Sequence, residues 1–468
     1  MLNVILAKGD GIGPEISESL LSIFNARQVP INFEEIKIGE QLYLSGHTSG
    51  IDEAAWDAIN RNTIMLKAPI TTPRGKGYKS INVTLRKSLG LYANVRPVSS
   101  WHPILQGKKQ TDVIIFRENE EDLYAGIEHR QTAEVTQCLK LITRTGCERI
   151  IRYAFEYANA HGRKKVTCMA KENIMKITDG LFVTVFNEIK EEYPEIHSES
   201  QIIDIGSAKI AAYPELYDVI VTPNLYGDIV SDIAAEVSGC VGISPSYNVG
   251  NNFTMYEAIH GSAPDIAGKG IANPSAFLLS GIHMLSHNGL VEEAQDIQNA
   301  WVKTIEEGQT TGDMGGSLNT KQFTDAIISN LGKAPQNEFK IKSQKIIIPK
   351  LEGKGRIEVK KELVGVDIFV DSVGHIDCIS AKLLQMAGEF KLQMVTNRGV
   401  TVYPRFNEST SCADHWRCRF QKTDGRLATP KEIVGLISRI VDYGLDVIKT
   451  ENLYNFDGVA GYSLGQGQ

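Results

Sequence analysis

Along the first 335 residues, short β-branched runs alternate with amphipathic stretches of helical period. NVILAKG is followed by PEISESLLSIFNA, KKVTCMA by NIMKITDGLFVTVFNEI, and YDVIVTP by DIVSDIAAEV; TDVIIFR is a further apolar run. This strand–helix alternation predicts an α/β fold with helices on both faces of a sheet. Near residues 336–362 the pattern breaks into a Lys-rich stretch with Pro and Gly, read as a linker with a short flanking strand. Beyond it the order is strand (VGVDIFVD), helix (HIDCISAKLLQMAG), strand (KLQMVTNRG), strand (DHWRCRFQ), helix (TPKEIVGLISRIVDYG) and strand (DVIKTENL). That βαββαβ order predicts an α+β, ferredoxin-like C-terminal domain. Its second helix carries strong start and stop signals: Thr429 as N-cap, Pro430 at the first position, Glu432 completing a capping box and Gly444 after the end.

Length and composition narrow the function classes. At roughly 150 residues per domain, 468 residues imply two or three domains. A hydrophobic fraction of 42% and a charged fraction of 22% fit a soluble globular chain. The net charge of −7 argues against nucleic acid as the natural partner. No apolar run reaches membrane-spanning length, and the N-terminus lacks a signal-peptide pattern. Seven cysteines without framework spacing fit a reducing compartment, so a cytoplasmic protein is expected. Cys412, His415 and Cys418 lack zinc spacing, and His283 and His287 lack the Glu of a zinc-protease helix.

The candidate chemistry lies in four places. GDGIGPE follows a strand and opens a helix, but its glycine spacing departs from the dinucleotide fingerprint and makes it weak evidence for phosphate binding. Arg86, Arg96 and Arg117 sit near predicted strand ends with Ser80 and Asn82 close by, a pattern suited to clamping carboxylates. Asp228 and Asp232 fall at i, i+4 on one helix face, with Ile229, Val230, Ile233 and Val237 expected on the other. Like charges at that spacing repel, and a hard divalent cation such as Mg²⁺ or Mn²⁺ would turn the repulsion into binding. Asp204, after SQIID, is a possible third ligand. Residues 260–276 form a long loop of small residues whose backbone can approach a planar cofactor.

GDGIGPE, SINVTLRKSLGLYANVRP, FRENEEDLYAGIE, NIMK, NLYGDIVSD and EAIHGSAPDIAGKGIANP occur in one order and at compatible separations. Together they resemble the β-decarboxylating dehydrogenases, the family of isocitrate, 3-isopropylmalate, homoisocitrate and tartrate dehydrogenases. The C-terminal unit resembles the extra domain of a subset of bacterial isocitrate dehydrogenases. The resemblance implies a two-domain fold with an intersubunit clasp. Its boundaries would be residues 1–91 and 239–335 for the cofactor-side domain, and 92–124 and 144–238 for the substrate and metal domain. Residues 125–143 would form a short clasp hairpin, 336–362 the linker and 363–468 the C-terminal domain.

The resemblance also implies an activity: hydride transfer from a metal-bound 2-hydroxy acid to a nicotinamide, followed by loss of CO₂. Arg86, Arg96 and Arg117 would hold substrate carboxylates, with Ser80, Asn82 and Asn173 beside the substrate. Tyr124 would protonate the enolate carbon and Lys171 would be the base for the hydroxyl. Asp228 and Asp232 of one subunit, with Asp204 of the other, would hold Mg²⁺ or Mn²⁺, which requires a homodimer. Thr72 and Glu257 would lie near the nicotinamide, and His260, Gly261, Ala263, Asp265, Ile266 and Asn273 on the adenosine side. Ser80 and Asn82 stand where isopropylmalate enzymes present apolar residues, so isocitrate is the expected substrate, with homoisocitrate or 3-isopropylmalate as the runner-up. NADP-dependent bacterial relatives follow HGSAP with Lys-Tyr, whereas this chain has Asp265-Ile266, which would repel a 2′-phosphate. NAD⁺ is therefore the expected acceptor, with NADP⁺ the alternative.

Overall fold

The computed structural model describes residues 1–73, 80–101, 103–105, 109–341, 345–349, 358–422 and 425–465. Parts of the expected linker, at 342–344 and 350–357, therefore lie outside the described residues. The strands of the first part are β1 (Leu2–Ala7), β2 (Ile31–Ile36), β3 (Ile64–Lys67), β4 (Ala93–Ser99) and β5 (Asp112–Glu118). After them come the hairpin strands β6 (Glu128–Arg130) and β7 (Thr136–Cys138), then β8 (Lys165–Ala170), β9 (His197–Ile202), β10 (Val219–Thr222), β11 (Pro245–Val249) and β12 (Thr254–Ala258). The helices between them are α1 (Gly13–Ala26), α2 (Glu40–Leu44), α3 (Glu53–Arg61), α4 (Ile81–Ser88), α5 (Arg144–His161), α6 (Thr178–Lys190), α7 (Ile203–Ala212) and α8 (Asn224–Ser238). Three more follow: α9 (Ser275–His287), α10 (Val291–Glu306) and α11 (Thr320–Ser329).

Among the described residues, ten of these strands form one sheet in the order β2-β1-β3-β12-β11-β4-β5-β10-β8-β9. The two-residue period of a strand sends alternate side chains into different cores. Val4 and Leu6 enter one apolar cluster, while Ile5 and Ala7 enter another on the opposite face. Ile114 and Phe116 of β5 likewise face away from Val113 and Ile115. A sheet buried on both faces explains the near-continuous apolar runs in the sequence. Because this sheet runs through both expected halves, residues 1–125 and 140–351 cluster as one compact unit.

The second unit combines residues 126–139 with 352–468. Its main strands are β13 (Lys361–Asp371), β14 (Phe390–Asn397), β15 (Val400–Tyr403), β16 (His415–Lys422), β17 (Asp446–Phe456) and β18 (Val459–Ala460), with helices α12 (Ile376–Met386) and α13 (Pro430–Asp442). The sheet order β15-β14-β16-β13-β17-β18, all antiparallel, contains the ferredoxin-like order β14-β16-β13-β17 and adds two edge strands the sequence reading missed. Both are short, and β15 lies in a turn-rich stretch, so neither offers a long alternating pattern. The capping box of Thr429 and Glu432 forms as expected, and α13 buries Ile433, Leu436 and Ile440. Thr132 of the hairpin donates to Asp414 of the C-terminal domain. No helix among the described residues is long and apolar enough to cross a membrane.

The glycine-rich turn serves packing. Gly9 and Gly11 have φ of 59° and 60°, and a Cβ on either would lie 2.1 Å from Pro69 O or 2.0 Å from Ser262 O. Between them, Asp10 accepts the backbone N–H of Glu40 and of Thr71. The turn thus locks the start of the 260–276 loop to β1, consistent with its imperfect fingerprint. His283 and His287 of α9 pack against Tyr247, and His287 Nδ1 meets the Tyr256 hydroxyl at 3.0 Å. Burial holds both imidazoles below the usual range, His283 at about 4, so they are core residues.

Candidate active site

Register builds the arginine clamp. Asn94 of β4 stands opposite Arg117 of β5, and Arg96 lies two residues on, so all three share one face of the sheet. Arg86, expected near a strand end, instead occupies the last turn of α4, for which Ser80 is the N-cap. The helix starting at Asn224 then crosses this face. Gly227 lies so close that an added Cβ would meet Arg117 Cγ at 2.5 Å, and Asn224 Oδ1 accepts from Arg117 Nη2 at 2.9 Å.

The charges converge on Asp228. Its Oδ1 pairs with Arg117 Nη1 and with Arg96 Nη2, the latter at 3.1 Å, and its Oδ2 accepts the Tyr124 hydroxyl at 2.6 Å. Burial works against this carboxylate, but Arg117 and Arg96 outweigh it and hold the group down at about 2. Burial together with Arg96 lowers Arg117 to about 9, leaving it charged at neutral pH. Burial, then Asp228, raises Tyr124, so its phenol keeps its proton. Asp232 lies on the same helix face, 3.7 Å from Arg96, and burial raises it.

A second charge cluster supports Arg86. Arg86 Nη2 meets Glu257 Oε1 at 2.9 Å, and the buried Lys67 meets Glu257 Oε2 at 2.7 Å. Asn248 adds a hydrogen bond of 2.6 Å to Glu257 Oε1. Glu257 lies at 4% exposure, and although burial opposes it, Lys67 and Arg86 drive its carboxyl well below the ordinary range. Glu257, expected beside the nicotinamide, thus has both oxygens engaged, Oε1 by Arg86 and Oε2 by Lys67. Lys67 was missed; the signal was a lysine ending the apolar strand IMLK.

A cavity of about 190 Å³ is lined by Ser80, Asn82, Arg86, Arg96, Arg117, Tyr124 and Asp228. Asn82 Oδ1 is buried there without a partner among the described residues. Lys171, Asn173, Asp204 and Asp232 do not line this cavity. Lys171 Nζ instead donates to Asp204 Oδ1 at 2.7 Å, which lowers the Asp204 carboxyl, and Asn173 is exposed on the following turn. Among the described residues no group of three or more acidic, His or Cys side chains could hold a metal. The pair Asp228 and Asp232 still fits a hard divalent cation: two carboxylates on one helix face, one of them raised by burial. Ile229, expected on the helix face away from the two aspartates, is 50% exposed because it lies off the side of α8 that packs on the sheet.

A larger cavity of about 680 Å³ is lined by His260, Gly261, Ala263, Ile266 and Asn273 together with Asp313. Burial lowers His260, whose Nε2 lacks a partner among the described residues, and Asn273 Nδ2 donates to Asp313 at 2.9 Å. Asp313, missed in the sequence, lies in the TTGDMGGS segment that reads as a turn. Thr72 is outside this cavity and donates to Ser80 Oγ at 3.3 Å. The apolar walls, small residues and open backbone fit a dinucleotide.

Fold and site together describe a two-unit α/β protein whose main unit pairs an arginine-lined anion cleft with a nucleotide-sized cavity. The chain belongs to the isocitrate/isopropylmalate dehydrogenase family: residues 3–327 match that family, and residues 361–468 match the bacterial isocitrate dehydrogenase C-terminal domain. It is 49% identical to an isocitrate dehydrogenase [NADP] of Rickettsia felis, over 99% of each chain. It is 40% identical to an isocitrate dehydrogenase [NADP] of Thermus thermophilus, over 99% of this chain and 96% of that one. A crystal structure of a Thermus thermophilus protein, TT0538, superposes with a TM-score of 0.96 at 40% identity, covering 100% of this chain and 96% of that one.

These relatives overturn the expectation of NAD⁺. Asp265 is exposed, and its solvated carboxylate is a weak determinant of the acceptor. Asp265 does not line the cavity and holds no hydrogen bond or ion pair among the described residues. In water, unit charges at 4 Å interact by about 1 kcal/mol, and salt screens that further. One solvated carboxylate does not decide against a 2′-phosphate.

Proposed function

We propose that this chain catalyses the oxidative decarboxylation of isocitrate to 2-oxoglutarate and CO₂ with reduction of NADP⁺, as a homodimer requiring Mg²⁺ or Mn²⁺. The observation that carries the reading is the cleft in which Arg96, Arg117 and Tyr124 converge on Asp228. Arg86, Arg96 and Arg117 bind substrate carboxylates, and Ser80 and Asn82 hydrogen-bond the carboxylate that distinguishes isocitrate from an alkyl malate. Asp228 and Asp232 would hold the cation, which as a Lewis acid would favour the developing carbonyl and enolate. Lys171, in its neutral amine form, accepts the hydroxyl proton, and Tyr124 Oη, protonated at neutral pH, delivers a proton to the carbon that loses CO₂. Asn173 stands beside the substrate. The large cavity receives the NADP⁺ adenosine along His260, Gly261, Ala263, Ile266 and Asn273.

Lys171 and Asp204 pair with each other outside the Asp228 cleft, which supports their serving the site of a second subunit. Ile174, Ile177, Ile205 and Ile229 are each at least half exposed and offer an apolar face for that contact. The test is steady-state oxidation of isocitrate, homoisocitrate and 3-isopropylmalate with NADP⁺ and NAD⁺, with Mg²⁺ and with chelator. Isocitrate with NADP⁺ should give the highest kcat/KM, and chelator should abolish it; turnover indifferent to chelator would refute the metal assignment.

A further prediction concerns the close approach at Gly227. Gly227→Ala should push the Arg117 stem out of place and raise the KM for isocitrate on the order of tenfold, since overpacking costs about 1–3 kcal/mol. The KM for NADP⁺ should stay near that of the wild type. An unchanged isocitrate KM would show that Arg117 does not grip the substrate.

A further inference from the structure

Lys140 stands immediately after the hairpin residues, and its side chain is only 11% exposed. Its ammonium lies 2.7 Å from Asp179 Oδ1 and 3.3 Å from Asp122 Oδ1, and both carboxylate side chains are fully buried. Neither Oδ1 accepts a hydrogen bond, so among the described residues this off-axis ion pairing is what compensates them. Two carboxylates are held out of water only with such compensation. The ammonium also sits 4.6 Å over the Tyr226 ring and 3.4 Å from its hydroxyl.

The remaining oxygens reach the elements that carry the proposed chemistry. Asp179 Oδ2 accepts the backbone N–H of Lys171 at 2.7 Å and the Tyr226 hydroxyl at 3.0 Å. Asp122 Oδ2 accepts the N–H of Leu225, in the first turn of the helix that bears Asp228 and Asp232. A carboxylate there also suits the positive end of the helix dipole. Asp122 has φ of 66°, a costly conformation for aspartate, and sits two residues before Tyr124. Its own N–H and C=O are held by Leu141 and Ala125.

We propose that Lys140 is a positioning residue for the reaction. Through Asp179 it fixes the turn that carries Lys171, and through Asp122 it fixes the Tyr124 turn and the start of the Asp228 helix. The role rests on the proposed function above. Since Lys171 is assigned to the site of the second subunit, one buried ammonium ties elements of both sites together.

The test compares Lys140→Met with Lys140→Met/Asp179→Asn, in which the nearer of the two stranded carboxylates is also neutralised, so that one uncompensated charge, that of Asp122, remains buried instead of two. Three quantities are read: kcat, the KM for isocitrate, and the isotope effect on kcat with deuterium on the hydroxyl-bearing carbon. The double variant should lose about 30-fold or more in kcat with KM within about threefold, and its isotope effect should exceed that of the wild type because chemistry has become limiting. A smaller folded fraction would lower kcat without moving the isotope effect. A folded double variant with wild-type kcat, or one whose loss leaves the isotope effect unchanged, would overturn the role. Wild-type turnover of isocitrate is measured first; its absence would overturn the substrate reading and this role with it, whereas a wild-type rate matched by the double variant overturns the role alone.

Discussion

Replacing Asp228 by asparagine is expected to lower kcat by about three to four orders of magnitude, the scale seen when a group central to the transition state is lost. Asparagine keeps the shape and removes the charge on which Arg96, Arg117 and Tyr124 converge. Arg117, fully buried, loses its carboxylate partner, and the proposed cation would lose a hard ligand. The Tyr124 hydroxyl can still donate to the amide oxygen, so the cleft need not collapse. Steady-state rates at saturating Mg²⁺ and substrate check this; activity within tenfold of the wild type would contradict the assignment.

The second large effect is on stability. Glu257→Gln leaves Lys67 and Arg86 without the carboxylate they share, and breaking a buried ion pair from one side costs about 3–5 kcal/mol. The thermal midpoint should fall by about 3–7 °C at neutral pH. The pH dependence has a definite sign. The folded carboxyl is depressed, so its stabilisation is complete above the unfolded value of about 4.3 and fades as pH falls below it, because the unfolded chain takes up the proton first. The gap between wild type and variant should therefore narrow in melts taken from neutral pH down to acid. A gap that widened on acidification would show that Glu257 is not the anchoring charge.

Much of the fold was legible because each local signal agreed with the global one. The apolar runs of β1, β5, β8 and β10 read as buried strands, and the capping box at Thr429 marked α13. Strand counting fell short where β15 and β18 add edges too short for any periodic pattern. The arginines and aspartates of the cleft were readable as residue types, yet their geometry was not. Arg96 and Arg117 come together through β4–β5 register, and Arg86 through a helix. Lys67, Lys140 and Asp313 escaped because each matters through a long-range partner, and no spacing in the sequence links Lys67 to Glu257. The cofactor reading failed for a related reason: a charge seen in sequence carries no information about its exposure, and Asp265 proved to lie in solvent.

On the proposed reading, one chain carries two half-sites, the Asp228 cleft and the Lys171–Asp204 pair, completed only by a second copy. Lys171→Met and Asp228→Asn variants, each inactive alone, provide the direct measurement when unfolded together and refolded as a mixture. Half of the randomly assembled dimers are then mixed, and each mixed dimer regains one intact site of two, so about a quarter of wild-type activity should return. A mixture no more active than its parents would contradict the account.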